Sequence, residues 1–145
     1  MSKHLIALAL TLSFGFAGSA AAADAMSKDA YKSAKDKIEE TAKADKKACL
    51  AMKDNAKDIC QAEAKAKEKI AKAELDAQNK PGPKADEKLA LMKAEGTYEV
   101  AKEKCEDQKG KAMADCKKDA KTAHSKAKAD IRAAAKPAKE AAKKS

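Results

Sequence analysis

Two apolar patterns divide the chain. From Leu5 to Ala17 the residues run almost without interruption as an apolar block, after a short basic start at Lys3 and before small residues that continue through Ala23. Beyond that point, large apolar side chains stand singly among Ala, Lys, Glu and Asp, residue types that favour or tolerate helix and offer little to fill a core. Tyr98, Ala101, Cys105, Ala112, Cys116, Ala120, Ala123, Ala127 and Ile131 recur at spacings that place them on one helical stripe. That stripe is mostly alanine, which lets helices approach closely but buries little area. The pattern predicts an all-α chain with little globular core.

Its main punctuation is "KPGPK", residues 80–84. Pro81 ends one helix, Gly82 supplies a backbone conformation other residues avoid, and Pro83 suits the first position of the next helix. The expected first arm starts near Ser27, an N-cap residue, and runs to about Asn79. The second runs from Pro83 or Lys84 to Ala135, just ahead of Pro137, and each arm is about 75 Å long at 1.5 Å per residue.

Four cysteines refine that expectation. Cys49 and Cys60 are 11 residues apart, as are Cys105 and Cys116. Within one continuous helix this spacing is three turns, about 16 Å, too far for either pair to bond internally or for all four to hold one zinc ion. A bend between Gly82 and Pro83 would instead put Cys49 level with Cys116 and Cys60 level with Cys105. The fold read from the sequence is therefore a long antiparallel two-helix hairpin, a coiled coil with a narrow seam, stapled by two nested disulfides. Free thiols and intermolecular bonds are the alternatives. The apolar start reads as a secretory signal peptide at 1–23, so the cysteines would mature in an oxidising compartment, and no later segment reads as a membrane span. The remaining parts are the duplicated Cys-bearing hairpin at 24–136 and a basic tail at 137–145.

The two halves repeat with a shift of 56 residues, which superposes both cysteine pairs, Lys53 on Lys109, Ala56 on Ala112 and "KP" at 80–81 on "KP" at 136–137. The segments "NAKDIC" at 55–60, "EAK" at 63–65 and "AKEKC" at 101–105 resemble a family of small exported Lys/Ala-rich proteobacterial proteins, often labelled TolA-like cell envelope biogenesis protein. In that family a "GNAKDxC" segment tends to appear in each half. Here Asp54 stands in place of the first Gly, and the second copy keeps Gly110 but has Lys111 in place of the Asn. The resemblance implies an envelope protein and carries no assigned activity.

Charge adds one asymmetry. The chain has 32 Lys+Arg against 23 Asp+Glu, a formal net charge of +9, with the excess concentrated after Gly82 and in the closing "KPAKEAAKKS". Lys136, Lys139, Lys143 and Lys144 are the candidate contacts for an anionic envelope surface such as lipopolysaccharide, lipid head groups or cell-wall polymer. Export separates the chain from nucleic acid, and two tyrosines after the signal make no base-stacking platform. No catalytic, cofactor or metal residues are expected. His124 reads as a solvated or seam-edge residue without a partner to orient it, Met26, Met52, Met92 and Met113 as seam fillers, and the Glu–Lys pairs at i,i+4 as helix support. The functional expectation is a periplasmic, non-enzymatic structural or interaction module of the envelope, contacting an envelope protein or that anionic surface. A chaperone or stress-protective protein and a cationic binder of anionic ligands are the alternatives, and the thin seam leaves a dimer open.

Overall fold

The structure, a computed structural model, describes residues 26–144; the signal-type segment and Ser145 lie outside the described residues. It contains α1 (Lys28–Ala48), α2 (Asp54–Asn79), α3 (Pro83–Cys105) and α4 (Gly110–Lys144), with a 3-10 turn at Cys49–Ala51 between the first two. The helices run up, down, up and down and pack in chain order, α1 on α2, α2 on α3 and α3 on α4. Among the described residues α1 and α4 do not pack on each other. This four-helix bundle replaces the two-helix coiled-coil hairpin expected from the sequence. The bend at 80–84 is real, but each expected arm is itself a hairpin.

The two additional bends lie inside the cysteine segments. After the 3-10 turn, Met52 and Lys53 are extended (ψ 162° and 163°), and Asp54 takes a left-handed φ of 50° as α2 begins. At the corresponding point after α3, Gly110 has φ 59°. An 11-residue spacing is too long for a disulfide only where helix continues between the cysteines. Because the chain reverses there, Cys49 bonds Cys60 and Cys105 bonds Cys116, with Cα atoms 5.6 and 5.7 Å apart. The disulfides are therefore sequential clips on two hairpins, and the nested Cys49–Cys116 and Cys60–Cys105 pairing is corrected. The turn at 80–84 follows the sequence reading closely: Gly82 has φ 146°, and Pro83 occupies the first turn of α3. Ser27 caps α1, its hydroxyl accepting from the Ala30 N–H at 3.2 Å.

Packing is by small residues. Ala42 and Ala64 are buried where α1 meets α2, and Ala62 and Ala66 are buried on the opposite side of α2 beside Gly96 of α3. A Cβ on Gly96 would stand 2.9 Å from the Ala66 Cβ, so glycine is what lets α2 and α3 approach this closely. Leu75 is the one leucine, isoleucine, valine or methionine fully buried among the described residues, and the most enclosed side chains are Cys49 and Cys105. Alanine supplies contact with little area, so cross-links and polar ties between helices matter more here than in an ordinary bundle.

The helix boundary expected at Pro137 is absent. α4 continues through it to Lys144; an interior proline loses one ladder bond and crowds the carbonyl four residues back, but the helix resumes beyond it. The segment assigned as a basic tail is thus mostly the last turns of α4. No helix of the described residues is long and apolar enough to cross a membrane.

Candidate functional site

The antiparallel order gives the bundle two chemically different ends, about 40 Å apart along α2. One end carries both hairpin turns and both disulfides. Asn55 ties the turns together: its Nδ2 donates to the Glu103 carbonyl at 2.7 Å and to Asp107 Oδ1 at 2.8 Å. Nothing in the sequence assigns this contact, and the one signal near it is Lys111 in place of the Asn in the second copy. Leu50 and Met52 are exposed at the same end.

The other end is basic. The "KPGPK" turn and the last turns of α4 line a half-open cavity of about 480 Å³, whose walls include Lys80, Lys84, Lys139 and Lys143 together with Pro81 and Pro83. Lys139 is ion-paired to Glu87 of α3, which fixes the end of α4 against the bundle. Lys80, Lys84 and Lys143 have no ion-pair partner among the described residues. Of the four lysines expected to contact an anionic surface, Lys139 and Lys143 line this cavity, whereas Lys136 and Lys144 are exposed and do not line it. Lys80 and Lys84 are not among the lysines expected from the sequence, where the turn is marked by its prolines and glycine. The signal that would have found them is the position of the turn: the end where α2 gives way to α3 is also where α4 terminates.

Next to this end, Asp76 of α2 joins three helices. Its carboxylate accepts from the Tyr31 hydroxyl of α1 at 2.6 Å and from Lys88 Nζ of α3 at 2.6 Å. Lys88 first and Tyr31 second hold the Asp76 carboxyl below its usual range, and the same hydrogen bond pushes the Tyr31 phenol up. Midway along the first hairpin, Glu68 accepts from Lys46 at 2.6 Å and Lys72 at 2.8 Å, and Lys72 also reaches Glu39 at 3.1 Å. The two lysines lower the Glu68 pKa to about 2.

His124 occupies the matching place in the second hairpin. It lies on α4 against α3, its ring stacked on Tyr98 with centroids 4.6 Å apart. Its Nε2 is 3.0 Å from Glu95 Oε2, near enough for an ion pair when protonated but out of line for a hydrogen bond. The expected seam-edge position is thus refined to a packed aromatic contact. Four cysteines are consumed in disulfides, and no group of His, Cys, Asp and Glu among the described residues is arranged to hold a metal ion. Comparison with family models, with curated proteins and with solved structures finds no match to this chain.

Proposed function

We propose that this chain is an exported, non-enzymatic interaction module of the cell envelope, working through its basic end on an anionic envelope surface. The observation that supports this reading is the gathering of Lys80, Lys84, Lys139 and Lys143 around one cavity at one end of the bundle, three of them without an ion-pair partner among the described residues. Elsewhere many lysines are neutralised across helix interfaces, as in Lys93 with Glu74, Lys104 with Glu63 and Lys117 with Glu106. Lysines from three segments thus converge on one space at this end, and an anionic surface is the partner such a cluster attracts. The exposed large apolar residues Leu50 and Met52 sit at the opposite end and offer too small an area to favour a client-holding chaperone.

Co-sedimentation with phosphatidylglycerol vesicles tests the reading. The expected result is binding at low salt that weakens severalfold toward about 0.15 M, where screening shortens to roughly 8 Å, and that is weakened further by Lys84→Gln with Lys143→Gln. Failure to bind anionic vesicles or lipopolysaccharide even at low salt overturns it.

A further inference from the structure

Diffuse attraction to an anionic surface does not require a cavity, and the basic end has one. We infer that the space between the "KPGPK" turn and the end of α4 is a discrete site for a phosphate or diphosphate group carried on a small, partly apolar body. This rests on the reading of the basic end as the contact surface and adds a stoichiometric ligand to it. Three observations converge. The volume, about 480 Å³, falls in the range of small-molecule sites and is several times that of a phosphate group. Three separate segments bring lysines to its lining, Lys80 at the end of α2, Lys84 at the start of α3 and Lys143 in the last turn of α4, and none of the three is ion-paired among the described residues. Apolar residues share the lining, with Pro81, Pro83 and Ala85 bordering the same space.

A phosphate group matches this arrangement better than a single carboxylate. It carries up to two charges and presents three oxygens, so three ammonium groups arriving from different directions can each donate to it. The prolines fix φ on both sides of Gly82, which leaves the turn little freedom to lose when a ligand binds. Lys139 stands apart because Glu87 already neutralises it. That pair supplies a second handle: releasing Lys139 should strengthen the site.

The probe is inorganic pyrophosphate, titrated into the full chain by calorimetry and by amide chemical shifts. Saturable one-to-one binding is expected, with shifts centred on 80–85 and the last turn of α4. Lys84→Gln combined with Lys143→Gln should weaken it at least tenfold, Glu87→Gln should tighten it, and Lys111→Gln with Lys126→Gln, away from the cavity, should leave it unchanged. Pyrophosphate that releases the protein from phosphatidylglycerol vesicles identifies a lipid head group as the source of the phosphate; tighter binding of a soluble sugar phosphate with no release identifies a free compound. Binding that does not saturate, or that is equal in the double variant and the parent, overturns the site. Vesicle binding that survives this outcome leaves the interaction module standing without the pocket.

Discussion

The two hairpins share one frame and fill it differently. A shift of 56 residues carries Cys49–Cys60 onto Cys105–Cys116, and it carries the left-handed Asp54 onto the left-handed Gly110. It also carries Ala42 onto Tyr98 and Glu68 onto His124. In the first hairpin, the space between helices holds Glu68 between Lys46 and Lys72. In the second, the same space holds an aromatic stack. Clip and turn therefore define the repeat, and the filling between them has been free to change from ionic to aromatic. The outward positions differ for another reason. α2 is buried at Ala62 and Ala66 by α3, whereas the matching positions on α4 are the exposed Lys118 and Thr122. Gly96 of α3 is buried against α2, and its counterpart on α1 is the exposed Glu40. Inner helices need two small apolar faces and edge helices need one.

Breaking the clips should have the largest effect. Each closes a loop with a sequence separation of 11, worth about 3 kcal/mol by loop entropy. The clips lie in separate hairpins, so removing Cys49–Cys60 and Cys105–Cys116 should lower stability by nearly additive amounts in urea unfolding. Non-reducing peptide mapping checks the pairing itself: a Cys49–Cys116 peptide would return the chain to a single long hairpin. Strong non-additivity with the mapped pairing intact would instead mean that the two clips act on one shared unfolded loop.

The contact between the hairpins comes next. Gly96→Ala should cost about 1–3 kcal/mol, because the Ala66 Cβ it meets cannot rotate away and α2 and α3 must separate. Glu40→Ala, at the matching place on the edge helix, should be close to neutral or slightly stabilising. Equal effects at the two positions in thermal unfolding would contradict the assignment of inner and outer faces.

These differences show where the sequence was legible. Composition and the stripe of alanines led to an all-α chain, "KPGPK" to a bend, and the 56-residue repeat to two like units. The helix count was lost at the cysteines, since an 11-residue spacing fits three turns of one helix as well as a clip across a reversal. Asp54 and Gly110 carried the missing signal. Glycine in one copy and Asp, which tolerates left-handed φ better than most residues, at the same place in the other mark a required turn. The contrast of Ala62 and Ala66 with Lys118 and Thr122 likewise held the distinction between inner and edge helices, but it acquires meaning only once the two hairpins lie side by side. The cavity at the basic end was less legible still, because it joins residues some 60 positions apart through packing of α3 on α4.

Acid should separate the hairpins by their fillings. Glu68 is held at about 2 against an ordinary value of 4.5. A carboxyl lowered in the folded state contributes stability that is fully present above its unfolded value and lost as pH falls through the folded one. The loss should therefore begin near pH 4.5 and be complete a little below pH 2. With both lysine partners more than a third or about a third exposed, screening limits it to about 1 kcal/mol. Glu68→Gln should flatten that part of the curve. An unchanged acid transition in the variant would assign the loss to the other carboxylates, Asp76 first, which Lys88 and Tyr31 also hold low.

The smallest effect should come from exchanging the turn residues between the copies, and it tests the repeat most directly. Gly110 sits at φ 59° with open space around the position a Cβ would take, so Gly110→Asp should cost only the backbone strain of a left-handed side chain, about 1 kcal/mol. Asp54→Gly relieves the same strain in the first hairpin. It also removes an acidic residue from the first turn of α2, where the helix dipole favours negative charge by about 0.3–1 kcal/mol. The two terms oppose each other at residue 54. The expected outcome is a clear loss for Gly110→Asp and a gain below about 1 kcal/mol for Asp54→Gly that shrinks as salt is lowered, because low salt strengthens the dipole term being discarded. A loss at residue 54 that persists at high salt would show that Asp54 is held by something other than charge and backbone geometry, and that the two turns are not the same element used twice.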